Sequence, residues 1–482
     1  MAEQVRGRSN KAGRTLSPAA AWAAWRRLGW RVEVAALALL IAVVALIGGN
    51  AYFNHAYSPE GAVRAYLGGV NSGDAGAVQV ASSVDTSQLR KGQPSLLDQR
   101  ALEAQLSRPE NRQRFDSVNV VESHTDGAQG AVTISYREGA STRRTTFQVV
   151  EDAHRGPFGL YPTWRVVVYP AAISMNLPPA AGSLQVDGIA VASTGQSRTS
   201  TFSVYPGKHR ISLSQSRLFT AASTSVDAEQ SYPAITPAAL HPQLTAAGAT
   251  EAAAAVQTAF ARCAASTEQT PADCPQQPPA SLLSSRISWT LVGDPTSEAR
   301  YRVADDGSLL ADGHYQMIAA YSGPFSNGHA AVSGPYQATL QTVDGEHLSA
   351  GAVKAAEGIP AAQRRAAASD AVLLQAVSHA LNACAASTDL APSDCPQHAL
   401  GGFQTHNVHW RLDGDPVSGA AVTFDGAAPV FHVAGQVAMV VDYDQTIVGT
   451  NMHSSDPVHS KYQADLFWDG AQPVLVTIRS VV

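Results

Sequence analysis

From residue 34 to residue 53 the chain carries no charged side chain, and the first fourteen positions of this run are all Ala, Val, Leu or Ile. At a rise of about 1.5 Å per residue, twenty residues cover about 30 Å, the depth of a bilayer's hydrocarbon core. The pattern predicts one membrane helix over 34–53. The stretch before it, 1–33, is short and polar. It reads as an irregular tail that ends in a short interfacial helix over 19–28.

Beyond the apolar run the pattern changes to that of folded domains. Ser58-Pro59-Glu60 opens a helix with a capping Ser, a Pro at the first position and an acid near the positive helix end. Ala62, Val63, Tyr66, Leu67 and Val70 then keep helical spacing, and Asn71-Ser72-Gly73-Asp74 closes this helix and starts a second. A loop is expected over 85–113. Strands follow at 115–122, 131–137, 143–150 and 163–169, with clear alternation at Val132, Ile134 and Tyr136. Helices followed by a strand meander predict an α+β domain over 57–170. Over 175–230 short alternating runs are punctuated by Asp187-Gly188 and Pro206-Gly207, which predicts a small β-sandwich. Linkers are expected near 171–182, 231–245 and 353–362.

The last half of the chain is duplicated. Cys263-AASTEQTPAD-Cys274-PQ recurs as Cys384-AASTDLAPSD-Cys395-PQ, Trp289 recurs as Trp410, and Gly293-Asp294-Pro295 recurs as Gly414-Asp415-Pro416, all at an offset of 121. Fifteen of the 33 positions from 263 to 295 are identical, which chance does not produce. Tyr336-Gln337-Ala338 matches Tyr462-Gln463-Ala464 at an offset of 126, so about five extra residues fall near 443–460 of the second copy. The copies, 236–352 and 356–482, each read as an Ala-rich helix, a Cys-clipped loop and about four strands. The fold class is therefore multidomain α+β behind one N-terminal membrane helix.

Charge sets the expected topology. Residues 1–33 hold seven basic side chains against Glu3 and Glu33, whereas the rest of the chain holds 26 basic against 37 acidic residues. Basic residues beside a membrane helix stay in the cytoplasm, so the N-terminus is expected inside and the large C-terminal region outside the cell membrane. Trp22, Trp25 and Trp30 stand where an interfacial aromatic belt would lie. A cleaved signal peptide is the rival, with Gly49-Asn50-Ala51 as a cutting site. The long basic stretch and the length of the apolar run favour an uncleaved anchor. An acidic ectodomain argues against a nucleic-acid partner.

The four cysteines all lie beyond the membrane helix, where disulfides persist. Pairing within each repeat, Cys263 with Cys274 and Cys384 with Cys395, follows from a duplicated unit that had to close alone. No C-x-x-C and no matched His accompanies them, so metal and redox sites are not expected. Trp289 and Trp410, each among alternating apolar residues, are expected as equivalent core anchors. The second repeat is His-rich (His398, His406, His409, His432, His453, His459), but His406-x-x-His409 on a regular strand would face opposite ways, and Ser285 and Ser288 hold those places in the first copy. P-loop, H-E-x-x-H, G-x-S-x-G and S-x-x-K patterns are absent. No catalytic residue, cofactor or metal site is expected.

The run SPEGAVRAYLGGVNSGDAGAV, closing about ninety residues later in TWRVVVY, resembles the NTF2-like domains tethered to many Gram-positive envelopes. In enzymes of that likeness a pocket carboxylate and a Tyr move protons, which makes Asp74, Tyr66, Tyr136 and Tyr161 the nominal candidates. Each also has an ordinary structural use. LPPAAGSLQVDGIAVAS and TFSVYPGKHRISLS resemble Ig-like or PEGA-like modules of surface proteins, which space or bind. The whole arrangement is similar to TcaA-type envelope proteins, although the Cys-rich zinc ribbon that family places before its helix is missing. These resemblances imply a non-enzymatic envelope protein that binds, senses or scaffolds, with the membrane and a cell-wall or envelope-protein ligand as partners. The alternatives are a pocket hydrolase or isomerase, and a regulatory subunit acting through its membrane helix, for which Gly48-Gly49 is a short patch.

Overall fold

The computed structural model describes residues 18–481, except 88, 90–92, 113, 157–158, 192–198, 229–234, 280–285, 324–326, 344–346, 402–403 and 448, and gives only the backbone for 18–32. The tail 1–17, the side chains of the Trp22, Trp25 and Trp30 belt, and Ser285 lie outside the described residues.

Helix α1 (Pro18–Ala56) is continuous, and within it Glu33–Ala56 is long and apolar enough to cross a membrane, with none of its 18-residue apolar window buried. The expected interfacial helix and the expected membrane helix are therefore one element. Only Gly29 interrupts the good helix formers between them, and one Gly costs about 1 kcal/mol, too little to end a helix.

The first folded unit begins at α2 (Pro59–Ser72). Ser58 caps it by accepting from the Gly61 N–H at 3.0 Å, and Gly73 ends it in the left-handed region at φ 77°. Helix α3 (Ala75–Ala81) and β1 (Ser82–Val84) follow. The segment expected as a loop over 85–113 instead contains β2 (Ser95–Leu96) and α4 (Gln99–Leu106). Asp98 caps α4, which buries Leu102 and Leu106; this amphipathic turn is short and polar-flanked, which hid it. Strands β3 (Asp116–Asp126), β4 (Gln129–Glu138), β5 (Ser141–Arg155) and β6 (Pro162–Val168) form an antiparallel meander that β1 extends in parallel, in the order β1-β6-β5-β4-β3. Val63, Leu67 and Val78 of the helices pack on Ile134, Val149 and Val166 of the sheet.

The second unit has strands β7 (Ala171–Asn176), β8 (Leu184–Val186), β9 (Ile189–Ala190), β10 (Thr199–Val204), β11 (Gly207–Leu213), β12 (Ala222–Ala228) and β13 (Ile235–Ala238). They form two four-stranded sheets, β13-β7-β10-β2 and β12-β11-β8-β9, which enclose Ile173, Met175, Phe202, Ile211 and Leu213. The stretches read as linkers near 171–182 and 231–245 therefore carry β7 and β13. Ala171, Ile173 and Met175 alternate inward because a sandwich must cover both inner faces.

The first two units are locked together. Strand β2 departs from the first unit to pair with β10 of the second. Beside it, His209 Nδ1 lies 2.7 Å from Asp187 Oδ2, and its Nε2 lies 2.6 Å from the Tyr205 carbonyl oxygen. Both ring nitrogens thus have a polar partner at hydrogen-bond distance. Asp187 Oδ1 also takes Asn111 Nδ2 at 2.7 Å and the Arg210 N–H at 2.9 Å. His209 is 3% exposed and Asp187 8%, so the network is dry.

The two C-terminal modules repeat one architecture. The first has α5 (Ala246–Ala265), β14 (Arg286–Leu291), β15 (Arg300–Val303), β16 (Leu309–Ser322), β17 (Asn327–Thr342) and β18 (Leu348–Ala355). The second has α6 (Asp370–Ala385), β19 (Thr405–Leu412), β20 (Ala421–Asp425), β21 (Val430–Ile447), β22 (Thr450–Trp468) and β23 (Pro473–Ser480). Each sheet has one path, β14-β16-β17-β18 or β19-β21-β22-β23, with β15 or β20 on the side of the long hairpin. The short side strand makes five strands per copy where four were expected. The extra residues of the second copy lengthen the β21–β22 hairpin.

The bridges Cys263–Cys274 and Cys384–Cys395 are formed, with Cα atoms 5.7 and 5.8 Å apart. In each copy the buried Trp holds the Cys loop: Trp289 Nε1 donates to the Glu268 carbonyl at 2.9 Å and Trp410 Nε1 to the Asp389 carbonyl at 2.8 Å. A second device, Tyr over Gly, is also shared. Tyr336 lies across from Gly313 and donates to the Pro295 carbonyl, and Tyr462 lies across from Gly435 and donates to the Pro416 carbonyl. A Cβ on either Gly would meet the phenol oxygen at 2.8 or 2.6 Å, so only Gly admits the ring. Burial pushes the Tyr462 phenol up to about 12, which keeps it a neutral donor.

Replacing Asp187 with Ala leaves His209 and Asn111 buried without their acceptor. Chemical denaturation is expected to show a loss of about 3–5 kcal/mol. Removing one bridge as Cys263→Ser with Cys274→Ser is expected to cost about 2–3 kcal/mol by the same measurement, since the closed loop is short.

Candidate functional site

The modules do not hang separately. On the sheet face turned away from α6, Phe467 (0% exposed), Val430 and Val476 form one apolar cluster with Val292, flanked by Ile318 and Ala331 of the first module. Nearby, Gln316 Nε2 donates to the Pro429 carbonyl, and Asp394 of the second Cys loop accepts from the His329 backbone N–H at 3.2 Å while its Oδ2 lies 2.8 Å from His329 Nδ1. Gly293 approaches the Asp469 backbone so closely that a Cβ would stand 3.3 Å from its carbonyl oxygen.

This joint is one-sided. In the first copy, strand register sets Gln341 and Ser308 at the places of Phe467 and Val430. Polar residues there need no cover; the apolar pair in the second copy does.

Where the modules part beside the joint they leave a cleft of about 450 Å³. One wall is Val292, Asp294, Glu298, His314 and Gln316 of the first module. The other is Phe424, Phe431, Trp468 and Asp469 of the second, and the connecting segment supplies Ala362, Gln363 and Arg365. That segment is tied down at several points. The Ala362 N–H donates to the Gly426 carbonyl at 2.8 Å, Arg365 pairs with Glu298 at 2.9 Å, and Arg364 pairs with Asp370 while its guanidinium lies 5.5 Å from the Phe431 ring centre.

The charged groups of the cleft are poised differently. Burial works to raise the Asp294 carboxyl, but donors from Thr296 and Gln257 outweigh it and hold the group below the usual carboxylate range. Asp469 is held low by the backbone N–H groups of Gln472 and Ala471. Burial pushes the His314 imidazole down against the opposing pull of Glu298, so the ring stays neutral at pH 7. Its Nε2 is buried and has no hydrogen-bond partner among the described residues. A neutral imidazole with a free nitrogen, ionised carboxylates and an aromatic wall suit a ligand that carries a hydrogen-bonding polar group and an apolar part.

Of the residues singled out in the sequence, only Asp294 and Pro295 of the repeated Gly-Asp-Pro motif line this cleft. The four disulfide cysteines, Trp289 and Trp410 shape the loops and cores behind it. His314, Glu298 and Trp468 were not legible as site residues, because they converge only when one module's outer sheet face meets the other module.

The nominal NTF2-type candidates stand apart. Asp74 caps α3 by accepting from the Ala77 N–H, and Tyr161 reaches α1. Tyr66, pushed up to about 12 by burial, packs on Phe147, and Tyr136 packs on Phe115.

The expectation that His406 and His409 face opposite ways is corrected. A bulge at Asn407, whose φ is 55°, shifts the register, so His406 lies across from Asp444 and His409 across from Asp442, on one face. His453 Nδ1 pairs with Asp444 at 3.0 Å from the other side. His432 pairs with Asp465 at 2.7 Å elsewhere on the sheet. Among the described residues no group of three or more His, Cys, Asp or Glu side chains is placed to hold a metal ion.

The depressed His314 titration has a sign. A His whose folded pKa lies below its unfolded value lowers stability as pH falls through the unfolded value toward the folded one, and the loss is complete below both. His314→Gln is therefore expected to flatten the fall of the thermal midpoint between about pH 7 and pH 5, around the reference value of a free His. An unchanged slope would place the depressed proton elsewhere. No protein-family model and no curated protein matches this chain, so its residues and their geometry carry the functional reading.

Proposed function

We propose that the chain is a single-pass envelope protein, with residues 1–33 in the cytoplasm, α1 in the membrane and the remainder outside. Its ectodomain is non-enzymatic and binds, senses or scaffolds at the cell surface or in the wall, through the cleft between the two modules. The carrying observation is that a helix with exposed aliphatic side chains, none of its apolar window buried, precedes domains in which every cysteine of the chain is bridged. Such bridges persist in an oxidising compartment. The helices lying on the sheet of 57–170 and the small sandwich after it support the NTF2-like and PEGA-like or Ig-like resemblances. Together with the membrane helix they support the likeness to TcaA-type proteins. A cell-wall fragment or an envelope protein is the ligand class this location offers.

The joint changes how the duplication is used. Two independent modules would present two equal sites and gain by avidity. Here one packed pair frames one cleft, so a stoichiometry of one ligand per chain is expected.

The test uses the ectodomain with soluble wall fragments in calorimetric titration. Ser297, exposed at the cleft rim, is replaced by Trp to fill the space. Binding of one fragment per chain, weakened at least about tenfold (1.4 kcal/mol) in Ser297→Trp with an unchanged unfolding midpoint, supports the cleft. Equal binding by the variant excludes it. Free thiols at the four cysteines in protein taken from the cell would overturn the exported topology.

A further inference from the structure

The apolar surface of α1 continues onto the folded domain. Between β5 and β6, Leu160 and Tyr161 come back to the helix. There Tyr161 donates its hydroxyl to Asn50 Oδ1 at 2.8 Å, and its ring lies 5.4 Å from Phe53 and 6.1 Å, nearly parallel, from Tyr57. Gly156 lets the chain close on Tyr57, whose ring would stand 3.1 Å from a Cβ there. Leu160, beside Tyr161, is 71% exposed, yet it borders a groove shared with Leu46, Ile47, Gly49 and Phe53 of the helix.

Depth follows from the helix. The uncharged run of twenty residues matches a core about 30 Å thick, so Leu46 and Ile47 lie one to two turns inside its outer limit at Phe53. A side chain that borders the same groove shares that environment. Tyr52, 69% exposed, together with Phe53, Tyr57 and Tyr161 forms the aromatic collar that membranes place at the headgroup level. The Tyr161 bond gives the Asn50 amide a partner where water is scarce. The two arginines beside it are both paired, Arg155 with Glu151 at 3.7 Å and Arg165 with Asp152 at 2.7 Å, so the contact is argued from apolar and aromatic surface and not from charge.

We infer that Leu160, just ahead of β6, is a second membrane contact, entering the acyl–headgroup boundary of the leaflet on the ectodomain side, beside α1. The occupant of the groove is lipid, because the groove is continuous with the lipid-facing surface of the helix. The inference rests on the anchor reading of α1. Its consequence is that the first domain is docked at a fixed height and angle and does not swing on a tether.

All four cysteines are bridged, so an introduced cysteine is labelled uniquely. Full-length Leu160→Cys, Ile41→Cys and Leu400→Cys, each carrying a polarity-sensitive dye, are reconstituted in vesicles of neutral phosphatidylcholine, with and without phosphatidylglycerol. All three positions are exposed, so the fold tolerates the dyes. Quenching by nitroxide placed shallow in the acyl chain is compared with quenching by aqueous iodide.

The expected result is several-fold more lipid quenching at Leu160 than at Leu400, with blue-shifted emission, equal in both lipid mixtures. Lipid quenching at Ile41 with iodide quenching at Leu160 overturns the inference and leaves the anchor standing. A Leu160 signal that needs the anionic lipid also overturns it, since the contact would then be electrostatic. Iodide quenching at Ile41 removes the anchor, and the inference with it.

Discussion

The C-terminal half of this protein depends on the burial of Phe467. Its ring sits on the sheet face that its own helix α6 does not cover, and it is wholly buried because the first module lies against it. A ring of that size left in water forfeits about 1.5–3 kcal/mol, and its partners Val430, Val476 and Val292 lose cover with it. The apolar joint therefore holds the modules at one angle, and that angle creates the cleft that His314 and Trp468 both line and in which Arg365 meets Glu298.

Duplication and divergence have separate physical signatures here. What the copies share is internal: the Cys loop, the Trp that holds it, and the Tyr lying over a strand Gly. What they do not share is external. Gln341 and Ser308 keep the first copy's equivalent face polar, whereas Phe467 and Val430 make the second copy's face adhesive. The interface is head-to-tail, a geometry that propagates unless one end is blunted. Gln341 and Ser308, polar at the equivalent places of the first copy, blunt it.

The N-terminal half follows the same rule with a different chemistry. The first two domains are joined by a shared strand and by a buried His209–Asp187–Asn111 network, which costs little only while every member is paired. The first domain in turn meets α1 through the Tyr161 collar. The sandwich reaches the first C-terminal module, where Asn176 Nδ2 donates to the Asp305 carbonyl at 3.2 Å, so successive contacts between residues far apart in the chain run from α1 to the cleft.

That distance separates what was legible in the chain from what was not. Local signals were readable. The uncharged run 34–53 determines a helix of membrane length, Ser58-Pro59-Glu60 and Asp74 determine helix starts, alternation determines the meander strands, and the offset of 121 determines a duplicated unit with its own disulfide. Where the local signal was short or ambiguous the structure decided otherwise: α4 lay within an expected loop, β7 and β13 lay within expected linkers, and a one-residue bulge at Asn407 turned His406 to the side of His409. The cleft itself had no signal along the chain. Glu298, His314, Arg365 and Trp468 belong to different elements, and nothing in their spacing marks them as neighbours. The sequence by itself determined the periodic elements and a helix of membrane length, because these depend on side chains within a few positions of one another, and it displayed the repeat as a direct recurrence of residues. The tertiary structure alone decided the joint, the cleft and the docking of the first domain on α1, because these depend on which sheet face remains uncovered after each module has closed its own core.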